Sequence, residues 1–214
     1  MNILPSVQTL EQACQSMPIF PLPRVVLFPG TLLRLHVFEP RYVQLLEHIQ
    51  EKDKLFCIPM MNLNGVQAEP VQLHPVAGVG KVIQCTALPE NRYNIIVLGV
   101  GRILLQQEQF TTNLYRKMQG RLLSEASESY NSVPLRQLLM QLVVKKPSLE
   151  ETLRVLLSEE ISPRMFVNTV AQVLLDSAEE KQLFWELESI EDQDAFLAEI
   201  VANNLFSGGT DFTA

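Results

Sequence analysis

Residues Met17–Tyr42 read MPIFPLPRVVLFPGTLLRLHVFEPRY, and this stretch decides the fold. Its five prolines stand among apolar residues, and each limits a strand or helix because proline fixes φ and lacks a backbone donor. Ile19 and Phe20, held between prolines, are predicted to form a short exposed strand edge. The side chains of residues 32–38 alternate between two faces, which predicts a strand. Glu39–Pro40 ends that strand and opens a helix, because proline suits the first helical position.

Three parts of the sequence carry a family resemblance. The motif P-I-F-P-L-P-R-V-V-L-F-P-G, followed by L-x-L-H-V-F-E-P-R-Y, resembles the opening of the Lon protease N-terminal domain, the substrate-recognition part of that protease. Further on, V-G-x-V-x-x, a proline-containing turn and R-Y-N-I-I-V-x-G-x-x-R-I are similar to its central hairpin, with Glu90–Asn91 where relatives often have Asp-Gly. The runs F-V-N-T-V-A-Q-V-L and A-E-E-K-Q-L-F-W-E-L resemble its helical bundle. The resemblance covers residues 17–206.

The predicted fold class is α+β. Alternating patterns predict strands over 55–61, Val76–Leu88, Tyr93–Arg102, 103–105 and 114–123. A helix over Arg41–Lys52 has one apolar stripe to pack against them. Past residue 125 the apolar period changes from two to 3.6, and the predicted helices open mostly with capping serines, at Ser148, Ser162, Ser177 and Ser189. The resemblance implies a PUA-like β pseudobarrel with one packed helix for residues 1–125, followed by a helical bundle for residues 126–214.

The composition, 47% hydrophobic and 19% charged over 214 residues, is typical of a globular protein with a large core. No apolar run approaches the roughly 18–20 residues of a membrane span. The N-terminus lacks the basic and apolar regions of a signal peptide, so we expect a cytoplasmic protein. Residues 1–120 carry ten Lys/Arg and eight Asp/Glu, whereas residues 121–214 carry seven and sixteen. The net charge of −9 in the second part repels phosphate and disfavours nucleic-acid binding.

No motif in the sequence predicts a cofactor, a nucleotide or a metal. The glycines near Gly78 and Gly99 lack the lysine and the spacing of a phosphate-binding loop, and they suggest bulges or close backbone approach instead. The three cysteines form no C-x-x-C pair, and we expect buried thiols in a reducing compartment. The three histidines are scattered, so we interpret them as separate structural or surface residues.

Six residues are the candidate binding residues: Ile19, Phe20, Glu39, Arg41, Arg92 and Arg102. Glu39 and Arg41 can flank a peptide groove as charge-assisted partners. They can also serve the fold alone, with Glu39 at the helix N-terminus and Arg41 paired with a carboxylate or carbonyl. The structural interpretation is the favoured one for these charged residues.

The sequence ends before the ATPase or Ser-Lys protease module of Lon could fit. The resemblance therefore implies a stand-alone, non-catalytic module that binds polypeptide segments, or a protease or chaperone partner. We expect it to use an exposed apolar patch of a few hundred Å² and a strand edge for β-addition. The oligomeric state stays open.

Two alternatives come from other functional classes. PUA-like barrels often bind RNA, which would require a contiguous basic strip on this chain, formed by Arg24, Arg34, Lys81 and Arg92. A small hydrolase would require a cleft between the two parts and a nucleophile within hydrogen-bond reach of a histidine.

Overall fold

The computed structural model describes residues 4–62, 70–123, 130, 132–145 and 161–206, which separate into two units, Met1–Glu125 and Ala126–Ala214. The N-terminal unit holds a six-stranded sheet whose named strand pairs are all antiparallel. Its strands are β1 (Met17–Pro18), β2 (Leu32–Val37), β3 (Leu55–Ile58), β4 (Val76–Leu88), β5 (Arg92–Gln109) and β6 (Lys117–Leu123). Its helices are α1 (Val7–Cys14) and α2 (Pro40–Gln50).

The hairpin of β4 and β5 is the centre of the sheet. The strand order is β1-β6-β5-β4-β3, and β2 pairs with β5. Glu90 and Asn91 both have positive φ, 62° and 53°, as the central residues of a type I′ hairpin turn require. The predicted hairpin is therefore confirmed. The separate strand predicted over 103–105 is wrong, because β5 runs unbroken to Gln109 and changes partner from β4 to β6 along its length.

Residues 17–22, which we call the closing segment, join the two ends of the sheet. The backbone N–H of Ile19 donates to the carbonyl of Arg116 at 3.1 Å, and the N–H of Phe20 donates to the carbonyl of Cys57 at 2.8 Å. Both side chains are buried. The predicted exposed edge at Ile19 and Phe20 is wrong, because this segment has neighbours on both sides. The prolines of the closing segment limit its pairing to short β-bridges, but they do not leave the segment exposed to solvent.

Two glycines allow the chain after the closing segment to cross the sheet. A Cβ at Gly78 would lie 2.2 Å from the carbonyl oxygen of Leu27, and a Cβ at Gly99 would lie 2.0 Å from that of Phe28. No other residue type fits such contacts with backbone. The close backbone approach predicted for these glycines is confirmed, and the register also shifts beside Gly80, between Val79 and Gly80.

The apolar residues of the N-terminal unit form two clusters. The larger cluster lies under α2, where the ring of Tyr42 stacks on that of Phe20 with 3.8 Å between centroids. The smaller cluster lies under α1 and includes Leu10 and Cys14. Helix α1 begins with a side-chain cap, because Oγ of Ser6 accepts a hydrogen bond from the backbone N–H of Thr9 at 3.1 Å.

Four helices are described in the C-terminal unit: α3 (Val133–Lys145), α4 (Pro163–Leu174), α5 (Ala178–Glu186) and α6 (Ile190–Phe206). Both α3 and α4 pack against α6. Large apolar side chains such as Phe166 and Trp185 are fully buried between them. The guanidinium carbon of Arg136 lies 4.0 Å from the centroid of the Phe166 ring.

Serine caps begin these helices as the sequence predicts. Ser162 accepts a hydrogen bond from the backbone of Met165, and Ser177 forms a complete capping box with Glu180. Ser189 accepts from the backbone N–H of Asp192 at 3.0 Å. The capping box predicted at Ser148 lies outside the described residues.

The cysteines differ in exposure. Cys14 and Cys57 are buried, but Cys85 is exposed on β4, so the expectation of three buried thiols is wrong for Cys85. Burial raises the pKa of Cys14 to about 11, which keeps this thiol protonated and unreactive at neutral pH.

Candidate functional site

A cleft of about 470 Å³ opens on the N-terminal unit beside the start of α2. Apolar side chains provide most of its lining, and two arginines stand within it, so we call it the Arg41–Arg116 cleft. The lining residues are Ile19, Pro21, Arg41, Tyr42, Met61, Pro70, Val71, Leu114, Tyr115 and Arg116. The cleft lies where the closing segment, α2 and the chain before β6 meet, so it depends on parts of the chain that are far apart in sequence.

Arg41 is held by an ion pair that a ligand can displace. Its Nε and Nη2 donate to Oε2 of Glu39 at 3.0 and 2.7 Å, and the two side chains are 51% and 42% exposed. A pair this exposed contributes at most about 1 kcal/mol. Glu39 occupies the N-cap position of α2 without a side-chain cap hydrogen bond. An incoming carboxylate can therefore replace Glu39 on Arg41 without weakening the helix.

Arg116 is fixed more firmly and shapes the opposite side. Its Nε and Nη2 donate to the two carboxylate oxygens of Glu108 at 2.7 and 2.8 Å, and its Nη1 donates to the carbonyl of Val71 at 3.0 Å. A bidentate pair of this kind fixes the plane of the guanidinium group. Arg116 therefore holds the Val71 backbone beside the cleft. Its role is chiefly to position the lining of the cleft.

Two tyrosines give the cleft a rigid floor. Burial raises the pKa of both Tyr42 and Tyr115, so both phenols are neutral at physiological pH. The Tyr115 hydroxyl lies 2.9 Å from Nδ1 of His48, and the guanidinium carbon of Arg41 lies 4.6 Å from the Tyr42 centroid. The floor is thus aromatic, with a cation above one ring.

A shallower depression of about 380 Å³ adjoins the cleft and shares residues 114–116 with it. Phe110 lies in this depression with 98% of its surface exposed, and Leu114 lies between the two with 62% exposed. Exposed apolar side chains that form one contiguous patch mark candidate binding surfaces. The two depressions together provide a surface longer than the cleft alone.

The Glu108–Arg116 pair makes a testable contribution that depends on pH. Arg116 holds the pKa of Glu108 below its usual value, so the pair stabilises the fold above the unfolded pKa of about 4.3. This contribution disappears as pH falls through the lowered folded pKa. We expect Glu108→Gln to reduce the free energy of unfolding by about 0.2–1 kcal/mol at pH 7.

Urea unfolding of the wild type and of Glu108→Gln at pH 7 and at pH 3 checks this expectation. The difference between the two proteins should shrink at pH 3. Glu90→Gln is the control, because Glu90 pairs with Arg92 while its side chain remains 80% exposed. A difference for Glu108→Gln that is the same at both pH values would contradict the assignment.

The structure places four of the six candidate binding residues at or beneath the cleft. Ile19 and Arg41 line it, Glu39 holds Arg41, and Phe20 supports Tyr42 from below. Ile19 and Phe20 are buried, so they form the floor and its support instead of an exposed edge.

The remaining two candidate residues lie elsewhere. Arg92 is at the β4–β5 turn, where its side chain contacts Glu90 and the carbonyl of Pro89. Arg102 is fully buried on β5, opposite Gly78 of β4 and Leu123 of β6. Arg102, a candidate binding residue from the sequence, is thus shielded by the strands that flank it on both sides.

Sequence reasoning missed the residues that complete the cleft. Leu114 and Arg116 fell within a predicted strand, whereas β6 begins only at Lys117. The one available signal was a large apolar residue directly after the polar Thr-Thr-Asn run, which predicts an exposed leucine.

The geometry gives little support to the two alternative functions, RNA binding and hydrolysis. Nδ1 of His36 lies 2.8 Å from Oδ1 of Asn94 and Nδ1 of His48 lies 2.9 Å from the Tyr115 hydroxyl, so neither contact is to a Ser, Cys, Asp or Glu side chain. Arg34 and Lys81 share a sheet face, but Ile96 and Leu98 of β5 lie between them. The basic groups are thus separated by apolar residues.

Within the part of the chain that the structure describes, no group of three or more His, Cys, Asp and Glu side chains could hold a metal ion. Among the described helices, none is both long enough and apolar enough to cross a membrane.

Comparison with known proteins gives the family. The family model described as the ATP-dependent protease La (LON) substrate-binding domain matches residues 16–207. The chain belongs to this family. Within the LON substrate-binding family, Lon protease of Roseiflexus castenholzii is 26% identical over 184 residues, which cover 83% of this chain and 23% of that protein. The chain thus spans about a quarter of the length of that relative.

Solved structures show the same fold. The N-terminal domain of Mycobacterium avium complex Lon protease superposes with a TM-score of 0.66 at 11% identity, covering 88% of this chain and 98% of that one. A Lon N-terminal domain protein from Xanthomonas campestris gives 0.59 at 17% identity, covering 87% and 97%. The predicted mixed architecture and the family resemblance are therefore confirmed.

Proposed function

We propose that this chain is a non-catalytic module that binds unfolded polypeptide segments in the Arg41–Arg116 cleft. The observation that carries the proposal is the cleft itself, which has a volume of about 470 Å³, a mostly apolar lining and a displaceable arginine. Its apolar lining suits side chains that are buried in folded proteins and exposed in unfolded ones. The substrate-binding description of the family model supports the same function.

Charge and shape favour a peptide over a small polar ligand. Both arginines already face carboxylates, so the cleft presents little net charge while keeping donors available on Arg41. Val71 and Leu114 are 38% and 62% exposed at its edge. An apolar segment covers these side chains, and an acidic residue or a peptide carboxylate beside it bonds to Arg41. The bound segment leaves intact or passes to a protease or chaperone partner.

Leu114→Ser should weaken binding of an unfolded protein about tenfold, because burial of one leucine contributes about 1.5 kcal/mol or more. The probe is fluorescein-labelled lactalbumin, reduced and carboxymethylated so that it cannot fold, and the readout is fluorescence anisotropy. Arg41→Glu should also weaken binding, because the probe's carboxylates lose their partner.

Leu183→Ser is the matched control. Leu183 is 59% exposed, close to the 62% of Leu114, but it lies on α5 of the C-terminal unit. Leu183→Ser should change the Kd of the probe by less than about twofold, which corresponds to well under 1.4 kcal/mol of binding free energy. Equal losses in the two variants, or equal binding of native lactalbumin, would contradict the proposal. Mass spectrometry of the probe after incubation tests the non-catalytic part, since cleaved probe would disprove it.

A further inference from the structure

Strand β2 has one paired edge and one open edge. It pairs with β5 alone in the sheet. The N–H of Gly99 donates to the carbonyl of Thr31 at 2.9 Å, which fixes the direction of the backbone groups along the pair. Residues 33, 35 and 37 therefore direct their N–H and C=O groups to β5. Leu32, Arg34 and His36 direct theirs away from the sheet.

Nothing in the described part of the chain bonds to this open edge. Among the described residues, no backbone–backbone hydrogen bond outside the regular ladders involves Leu32, Arg34 or His36. All three side chains are exposed, with Leu32 at 61%. Proline stands on either side of β2, at Pro29 and Pro40, but not within it. The edge is therefore six residues of accessible strand, a template for another strand.

The two faces of β2 differ in chemistry. Leu33 and Leu35 are half-buried and pack against the larger core cluster, so an added strand would cover their remaining exposed surface. On the other face β2 presents Arg34 and His36. The facing residues of β5 and β4 on that side include no carboxylate; they are Asn94, Ile96, Leu98, Lys81, Gln84 and Thr86.

We infer that the open edge of β2 binds an extended polypeptide segment in which acidic and apolar residues alternate. The segment adds antiparallel, like the named strand pairs of this sheet. Residues directly opposite each other in such a pair share a face, so acidic side chains lie beside Arg34 and His36. The apolar ones continue the row of Leu33 and Leu35. This surface is separate from the Arg41–Arg116 cleft, and it does not depend on the function proposed for that cleft.

A second copy of this chain fits the same edge less well. Antiparallel pairing of two β2 strands about a twofold axis at Arg34 would place two guanidinium groups opposite each other. Neither Arg34 nor Lys81 has a recorded carboxylate partner among the described residues. Like charges placed directly opposite in a sheet are destabilising. Charge complementarity thus selects an acidic strand.

The test uses an eight-residue fluorescein-labelled peptide of alternating glutamate and valine, with fluorescence anisotropy as the readout. One isomer is N-methylated at the glutamates and another at the valines, so composition and charge are identical. In the antiparallel arrangement the glutamate N–H groups face β2. N-methylation there should weaken binding at least tenfold, while N-methylation at the valines should change it less than twofold. Equal effects of the two isomers would overturn the inference.

Variants of the full chain provide the second arm. Arg34→Pro removes the outward N–H and the charge, whereas Arg34→Ala removes only the charge; binding should fall further in Arg34→Pro. A peptide of alternating lysine and valine should bind at least tenfold more weakly. The difference between the two N-methylated isomers should persist in Leu114→Ser, which separates a failure here from a failure at the cleft. Self-association of the unliganded chain that Arg34→Pro abolishes would assign the edge to a second copy and overturn the inference.

Discussion

Gly99→Ala is expected to destabilise the N-terminal unit by about 3 kcal/mol or more. The new Cβ would lie 2.0 Å from the carbonyl oxygen of Phe28 and 2.8 Å from its carbonyl carbon. These are backbone atoms, so no side-chain rotation relieves the overlap. The backbone segments that contain Phe28 and Gly99 must therefore move apart. Separation would break the hydrogen bonds of Gly99 to Gly30 and Thr31, both 2.9 Å long. Urea unfolding followed by far-ultraviolet circular dichroism measures the loss.

Gly101→Ala is the matched control for this substitution, two residues further along β5. Its Cβ would meet only Leu122 and Leu10 side chains, at 3.6 and 3.7 Å, which are ordinary contacts. The free energy of unfolding should change by less than about 1 kcal/mol, since alanine also restricts the unfolded chain. If both variants lose stability equally, the close approach of Phe28 is not the cause.

Phe166→Ala is expected to reduce the stability of the C-terminal unit by about 3–5 kcal/mol. Phe166 is fully buried on α4, and its removal leaves a cavity in the helical core. The cation–π contact with Arg136 is lost as well, at about 0.5–2 kcal/mol. Trp185 is the single tryptophan of the chain and is buried in the same unit, so its fluorescence reports the unfolding directly.

Met165→Ala tests whether this loss comes from burial. Met165 precedes Phe166 on the same helix but is 56% exposed. Its substitution should change stability by about 0.5 kcal/mol or less. A loss below 1 kcal/mol for Phe166→Ala would show that the packing around this ring is not as described.

Local signals in the sequence predicted the elements that depend on local physics. Turn chemistry located the β4–β5 hairpin, and serine capping located the starts of α4 and α5. Side-chain alternation also predicted β2, in which Leu33, Leu35 and Val37 are less exposed than Leu32, Arg34 and His36. Each of these features is decided within a few residues, which is the range over which propensity and capping act.

The failures at Ile19, Phe20 and Arg102 concern relations between distant segments. Proline around Ile19 and Phe20 showed where a ladder is interrupted, but not that β3 and the chain before β6 lie on either side. Burial of Arg102 depends on both strands that flank β5. The cleft likewise exists because Arg116 reaches the carbonyl of Val71, a contact that no spacing rule reveals.

The closing segment constrains when the barrel can form during synthesis. Ile19 bonds to Arg116, about 100 positions later in the chain, and a ribosome adds about 5–20 residues per second. The first residues of the fold therefore wait roughly 5–20 s for their final neighbour. Through that interval the flank of the closing segment that later pairs with Arg116, at Ile19, has no partner and is open to other nascent chains. A domain that we propose to bind unfolded polypeptides is thus itself exposed to aggregation while it is being made.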